Sequence, residues 1–228
     1  MGTSIVRRMD DAQLLSMEEV RVLGCLLEKE RTTPDDYPLT TNSLMRAANQ
    51  ATSREPVVSY DQQTIESAAT SLKAAGLVRF VHTPSGRVSV RYRQVLADAW
   101  GLVDAEVVVL GLLMLRGAQT AGELRTRSDR WHSFGSVSEV DSVLGALVRR
   151  EPSLVVLLDR RPGQKEARWA HRLCGEPTMT DAVGESGSHA ASGPRGQSTA
   201  ERIALLEATV AELGAQMTEL RVQLGLES

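Results

Sequence analysis

The sequence predicts a mainly α-helical protein with small β-hairpins, which is an α+β fold class. Three observations support this prediction: helical spacing of apolar residues behind capping signals, two stretches that alternate apolar and polar residues around a turn, and the recurrence of this order along the chain. The chain has 228 residues, of which 42% are hydrophobic and 24% charged. These values are ordinary for globular proteins and neither require nor exclude catalysis.

Three helices are predicted in the first part of the chain. The first begins after Ser16, because Ser16 and Glu19 have the spacing of a capping box. The second is expected over 41–49, behind a threonine cap. The third is expected over about 60–75, where Gly76 provides the left-handed conformation that commonly ends a helix.

A β-hairpin is predicted directly after these helices. The stretch LVRFVHTPSGRVSVRYR alternates apolar and polar residues on both sides of Thr-Pro-Ser-Gly, which is typical of a turn. Val90 and Tyr92 are expected on one face, whereas Arg87, Arg91 and Arg93 are expected on the other. The hairpin should therefore have one face in water.

The same order recurs in the second part of the chain. A helix capped by Asp104 is expected first, then a helix behind the capping box of Thr120 and Glu123, and then a helix over about 137–150. Two short strands follow, within LVVLL and EARWAHRL.

Three helices followed by a hairpin in under 90 residues is the order of a winged helix-turn-helix. We therefore predict tandem winged helix-turn-helix domains over 16–97 and 98–173, after an N-terminal tail over 1–15. Each unit alone is small enough to be only marginally stable, so we expect the two units to dock.

The rest of the chain is predicted to contain a flexible linker over 174–197 and a coiled-coil helix over 198–226. Apolar residues in this helix alternate at intervals of three and four, and β-branched residues at two a positions with leucine at the d positions favour a parallel homodimer. A helix folded back on its own domain is the alternative. The coiled-coil seam consists of Ile203, Leu206, Val210, Leu213, Met217, Leu220 and Leu224.

Charge and cysteine content bound the class of protein. The formal net charge is -3, and residues 174–228 hold three Lys and Arg against eight Asp and Glu, so the preceding part is nearly neutral. A nearly neutral domain can still carry a local basic face. The spacing of Cys25 and Cys174 suits neither a disulfide framework nor a metal site, which indicates structural thiols. We expect a cytoplasmic protein without membrane contact, since no apolar run suits a signal peptide or a bilayer span.

Two stretches carry a family resemblance. LGCLLEKERTTPDDYPLTTNSLMRAANQATSREPV, which begins at Leu23, and LLMLRGAQTAGELRTRS, which begins at Leu112, resemble the YceH-like, UPF0502-type family of bacterial tandem winged-helix proteins of uncharacterised function. The resemblance extends over about residues 16–173 and implies an architecture but no activity. Ala48 stands where the family often has Cys, so a thiol-based function at this position is excluded here.

Nucleic-acid binding is the function that we predict from this architecture. The third helix of a winged helix normally enters the major groove, and its hairpin contacts phosphate. We therefore expect weak, salt-sensitive, largely nonspecific DNA binding, although Asp61 and Glu66 oppose it and cations on a hairpin also prevent edge pairing. The candidate contacts are Gln62, Gln63, Lys73, Arg87, Arg91, Arg93, Arg125, Arg127, Arg160, Arg161, Lys165 and Arg168.

A protein-interaction scaffold is the alternative function. Within the charged stretch from Leu26 to Leu44, the interval from Leu27 to Thr40 is six residues longer than the interval from Leu113 to Thr120 in the second repeat. We interpret it as a helix end with a stiff loop and not as an active-site loop, because its two prolines keep the preceding residues extended. Its residues, and those after the second helix, would be exposed partner contacts; the candidates are Asp35, Asp36, Tyr37 and Arg54.

Catalysis is not predicted. No Gly-rich phosphate loop follows a strand, and the four histidines are scattered along the chain. The serines near His132 lie where a helix begins and are expected to serve as caps. We therefore expect neither an enzyme nor a cofactor.

Overall fold

The structure, a computed structural model, describes residues 14–82, 90–160 and 164–177. These residues confirm the mixed α and β character, because they contain seven α-helices, a three-stranded antiparallel sheet and a two-stranded antiparallel sheet. Arg87, Arg161, residues 178–197 of the linker and the predicted coiled-coil seam lie outside the described residues. None of the helices in the described segments has the length and apolar character that a bilayer span requires.

The first repeat begins with the predicted capping box, in which Ser16 and Glu19 bind each other's backbone N–H groups. The third helix begins later than predicted, because Asp61 accepts a hydrogen bond from the Thr64 backbone N–H and is its N-cap. Gly76 follows this helix with the expected left-handed conformation, at a φ of 77°. The elements are α1 (Met17–Thr32), a short 3-10 helix (Pro34–Asp36), β1 (Leu39–Thr40), α2 (Thr41–Ala48), α3 (Gln62–Ala74), β2 (Val78–His82) and β3 (Val90–Gln94).

The second repeat follows a short connecting helix, α4 (Leu96–Trp100). Its second helix has the predicted capping box of Thr120 and Glu123. The predicted cap of its first helix is wrong: Val103 is the N-cap, and Asp104 is the first helical residue. The elements are α5 (Asp104–Arg116), α6 (Ala121–Ser128), α7 (Val137–Val148), β4 (Val155–Leu158) and β5 (Arg168–His171).

The two repeats share one pattern of strand pairing. In the first repeat β3 lies between β1 and β2, with Leu39 of β1 opposite Tyr92 of β3. In the second repeat β5 pairs with β4, and Gln119 forms a bridge with Trp169 of β5. Gln119 thus occupies the place of β1. The order helix, strand or bridge, helix, helix and hairpin therefore recurs in space.

Helices α1 and α5 pack against each other and join the repeats. Each contains Glu-Val-x-Val-Leu-Gly. The final glycine of α1, Gly24, allows the close approach of α5, whereas that of α5, Gly111, makes room for the Trp131 ring. A Cβ at Gly24 would lie 2.9 Å from Leu115 Cδ2, and one at Gly111 would lie 2.7 Å from Trp131 Cζ3. The buried side chains of both repeats form one hydrophobic core. The expected docking of the two repeats is thus observed.

Candidate nucleic-acid interface

The outward face of the β2–β3 hairpin carries two arginines directly opposite each other. Arg79 of β2 pairs with Arg93 of β3, and both residues are exposed. Opposite residues of an antiparallel pair lie on one face with Cβ atoms about 4.5–5.5 Å apart, where like charges are destabilising. Neither side chain has a hydrogen bond or ion pair with another residue in the described ranges. An anion bound between the two guanidinium groups would relieve their repulsion.

Helix α3 meets this hairpin at its C-terminal end. The Lys73 ammonium lies 4.4 Å from the centroid of the Phe80 ring, a distance at which a cation is attracted to the aromatic face. Gln62 and Gln63 are exposed at the opposite end of α3, about 16 Å from Lys73 at the usual helical rise. The structure therefore brings Lys73, but not the two glutamines, to the hairpin.

The acidic residues of α3 are engaged within the helix. The carboxylate of Asp61 is the N-cap, and its pKa is lowered by its hydrogen bonds to Thr64. Glu66 Oε1 accepts a hydrogen bond from Gln62 Nε2 at 2.8 Å. These two carboxylates oppose phosphate binding along the first turns of α3. The cationic end of the interface is thus the hairpin and the last turn of α3.

Two of the predicted nucleic-acid contacts, Arg91 and Arg168, instead form hydrogen bonds within the fold. Arg91 donates to the Pro38 carbonyl at 2.8 Å, and Arg168 donates to the Ala118 carbonyl at 2.8 Å. These contacts are equivalent in the two repeats, since each ties the last strand to the segment before the first strand or bridge. Arg168 also forms two hydrogen bonds with the carboxylate of Glu123, at 2.9 and 3.0 Å. A phosphate would have to displace these protein partners.

The other cations predicted to contact nucleic acid lie in the second repeat. Arg127 Nη1 donates to Gln119 Oε1 at 2.8 Å and lies 3.8 Å from Glu123 Oε2. Arg125 is exposed and donates to the Phe134 carbonyl at 3.3 Å. Arg160 and Lys165 are exposed. Carboxylates and carbonyls thus occupy most arginines of the second repeat, whereas Arg79 and Arg93 are unoccupied by described residues.

Arg79 is not among the predicted contacts, although the sequence contains a signal for its exposure. In the hairpin sequence LVRFVH, Arg79 lies between Val78 and Phe80, and the two-residue period of a strand places it on the face opposite these apolar neighbours. The pairing of Arg79 with Arg93 depends on the strand register, which only the structure shows.

The expected exposure of Arg54 is wrong. Arg54 is 5% exposed, and its guanidinium binds the Glu28 carboxylate through Nη1–Oε1 at 3.1 Å and Nη2–Oε2 at 2.5 Å. Glu28, a charged residue near the end of α1, would be expected on its polar side, but it is buried. Glu28 follows Val20 and Gly24 at intervals of four, so the helical period places it on the face that packs against the core. This ion pair connects the segment between α2 and α3, which contains Arg54, to α1, which contains Glu28.

Tyr37 is half-buried and serves as a hydrogen-bond partner within the fold. Its Oη accepts a hydrogen bond from the Gln94 backbone N–H at 2.6 Å, and Gln94 Nε2 donates to Glu30 Oε2 at 2.5 Å. Burial raises the pKa of Tyr37, so the phenol stays neutral. These contacts support the interpretation of the charged stretch as a connection between helices. Of the four predicted partner contacts, Asp35 and Asp36 are exposed.

Cys25 is predicted to be unreactive in the folded protein. It is fully buried, and burial raises the pKa of its thiol to about 11, although the nearby Arg54 acts to lower it. The thiolate is the reactive form of cysteine. In a Cys174→Ser variant, we expect a thiol reagent at about pH 8 to react only after urea unfolds the chain. Rapid reaction of the folded variant would contradict this prediction. The reaction rate of the same variant unfolded in urea is the reference for a fully accessible thiol.

The chain has close relatives among bacterial proteins. Residues 15–164 match a family model described as "Protein of unknown function, DUF480". A relative named UPF0502 protein GSU0233, from Geobacter sulfurreducens, is 47% identical over 202 residues, which cover 88% of this chain and 90% of that protein. UPF0502 proteins from Delftia acidovorans and Stenotrophomonas maltophilia are 43% and 45% identical over 217 and 216 residues, with at least 92% of each chain covered. This chain therefore belongs to the UPF0502 family.

Proposed function

We propose that each repeat is a winged helix-turn-helix unit and that the protein is a non-enzymatic nucleic-acid binder that contacts phosphate through the first repeat. The observation that carries this proposal is the pair of exposed arginines, Arg79 and Arg93, placed opposite each other without a carboxylate partner in the described ranges. In a winged helix this hairpin is the wing, which reaches the phosphate backbone or minor groove. Lys73 adds a further cation where α3 meets the wing.

The small number of available cations sets the strength of this binding. Each neutralised phosphate contributes about 0.9 to the slope of log affinity against log salt, so two arginines give a slope of about -1.8. Phosphate contacts carry no sequence information by themselves. The proposed complex is therefore weak, sensitive to salt and largely independent of sequence.

The test is titration of a labelled generic DNA duplex at low salt, followed by fluorescence anisotropy. We expect wild type to bind and the double variant Arg79→Ala/Arg93→Ala to lose most of this affinity, with a salt slope that becomes smaller by about 1.8. Arg160→Ala/Lys165→Ala is the matched control, because it removes two exposed cations from the second hairpin. We expect it to bind nearly as wild type does.

Two outcomes contradict the proposal. If wild type forms no complex at low salt, nucleic-acid binding is wrong. If both double variants lose the same affinity, binding follows overall charge and the assignment to the first hairpin is wrong. Far-UV circular dichroism of each variant serves to confirm that the fold is retained.

A protein-interaction scaffold is the second candidate function, and one difference between the repeats favours it. Lys73 and Phe80 of the first repeat correspond to Val148 and Leu157 of the second, which are 39% and 49% exposed. The second repeat thus presents exposed apolar residues where the first presents a cation over an aromatic ring. Apolar surface of this kind favours contact with protein over contact with phosphate.

A further inference from the structure

Helix α7 of the second repeat carries an exposed acid and an exposed base on either side of a glycine. Asp141 and Gly145 of α7 and Arg149, the C-cap, follow one another at intervals of four residues; because Arg149 keeps a helical backbone conformation, they form a single row. Asp141 and Arg149 are both exposed. In the part of the chain that the structure describes, neither side chain forms an ion pair or hydrogen bond. This differs from Arg127, Arg150 and Arg168, which lie against carboxylates.

The row is self-complementary under twofold symmetry. If α7 packs antiparallel on α7 of a second copy with the axis at Gly145, residues four before the glycine face residues four after it. Asp141 then faces Arg149 of the second copy, and symmetry repeats the contact with the roles exchanged. A parallel arrangement in register would instead place like charges together. The charge pattern thus favours a second copy of this chain as the partner, with its α7 antiparallel to the first.

The shape of the face also suits this arrangement. Rows of residues at intervals of four are the ridges that interdigitate in the commonest class of helix packing. Gly145 has no side chain at the centre of the row, and only the Arg149 guanidinium lies close to the position of its absent Cβ, at 3.3 Å. That guanidinium is the end of a flexible side chain and is free to turn toward a second copy. The backbones can therefore approach closely at the axis.

Apolar residues flank the charged row. Val137 continues the row one turn before Asp141, Val148 lies beside the row, and these two side chains are 41% and 39% exposed. The corresponding residues of α3 are Gln62 and Lys73, so this apolar flank belongs to the second repeat alone. Burial of these side chains against a second copy would add a hydrophobic contribution to the ion pairs.

We propose that α7 forms a twofold interface with a second copy of this chain, in which the two helices run antiparallel across Gly145 and Asp141 of each copy pairs with Arg149 of the other. Nucleic acid is a poor occupant of this face, because Asp141 and the neighbouring Glu139 would repel phosphate. This inference is independent of the nucleic-acid proposal for the first repeat. It gives the scaffold function its first partner, the chain itself.

The test is a charge exchange measured by sedimentation equilibrium on the full chain. Asp141→Arg and Arg149→Asp each turn both intermolecular attractions into repulsions, so each variant alone should self-associate more weakly than wild type by about tenfold or more. In an equimolar mixture of the two variants, every facing pair is again of opposite charge. We expect the mixture, and also the double variant Asp141→Arg/Arg149→Asp, to regain the dimer mass of wild type.

The controls separate this interface from other routes to a dimer. Asp129→Arg makes the same charge change on an exposed residue outside α7 and should leave the dimer unchanged. A monomeric wild type at all concentrations overturns the proposal. So does a dimer that all variants retain, since another segment, such as the predicted C-terminal coiled coil, would then hold it. Variants that remain monomeric in the mixture while each is folded also overturn it.

Discussion

Replacing Arg54 with alanine is expected to lower the free energy of unfolding by about 3–5 kcal/mol, because it removes the bidentate guanidinium partner of a buried carboxylate and leaves it only the Lys29 ammonium at 3.3 Å. The Arg54 side chain is 0% exposed and the Glu28 side chain 12% exposed, so water cannot readily replace the lost guanidinium. The variant also loses the hydrogen bond from Arg54 Nε to the Ala47 carbonyl at 2.9 Å, which ties the loop after α2 to that helix. Urea unfolding followed by circular dichroism measures the loss.

Two further variants test whether the loss of stability in Arg54→Ala comes from the ion pair with Glu28. Arg125→Ala removes an exposed arginine and should change stability by less than about 1 kcal/mol. The double variant Glu28→Leu/Arg54→Leu removes both charges and should recover most of the stability, since apolar replacements of a buried ion pair are often neutral. If Arg54→Ala has no larger effect than the control, the ion pair does not stabilise the fold.

The pH dependence of this loss follows from the pKa of Glu28. Burial acts to raise the pKa of Glu28, but hydrogen bonds and charge from Arg54, with a smaller part from Lys29, lower it below its ordinary value. A carboxyl group with a lowered folded pKa contributes stability above its unfolded pKa, and this contribution is lost as the pH falls through the folded pKa. The difference in the free energy of unfolding between wild type and Arg54→Ala should therefore become smaller as the pH is lowered into the acid range.

The sequence predicts local features of this fold well. Capping boxes, helix-ending glycines and alternating strands depend on residues within about four positions of each other, so their signals are present in short stretches. The capping boxes at Ser16 and Thr120 are confirmed for this reason. The start of α5 shows the limit: Asp104 is a favourable cap residue, but it lies one position inside the helix and binds Arg31 at 2.6 Å and His132 at 3.2 Å. These partners come from distant parts of the chain.

The candidate site is less predictable because it depends on pairs of residues. Glu28 and Arg54 are each ordinary surface residue types, and only the fold shows that the loop between α2 and α3 places one against the other. Arg168 and Arg93 both appear as exposed hairpin arginines in the sequence. The structure separates them, since Glu123 binds Arg168 whereas Arg93 faces Arg79. Which cations remain available is therefore a property of tertiary contacts.

The shared core predicts that the two repeats unfold together. Leu27 of α1 is 0% exposed, and its Cδ1 would lie 3.5 Å from a Cβ at Gly111 of α5, so this side chain packs across the junction. Truncation of a fully buried leucine to alanine costs about 2–5 kcal/mol, depending on how far the site can collapse. In Leu27→Ala, the missing atoms belong to the first repeat but the cavity adjoins the second. We therefore expect both repeats to lose this stability.

Tryptophan fluorescence can measure this coupling, because Trp131 and Trp169 both lie in the second repeat. In a Trp100→Phe background, Leu27→Ala should shift the urea midpoint seen by fluorescence as far as the midpoint seen by far-UV circular dichroism, and the two transitions should coincide. Leu14→Ala is the control, since Leu14 is 62% exposed and its truncation should shift neither midpoint appreciably. Independent repeats would give a different result: the fluorescence transition would stay in place while part of the circular dichroism signal moved. Coincident transitions would mean that the proposed phosphate-binding hairpin and α7 are stabilised by the same core, so a change that weakens this core would destabilise both surfaces.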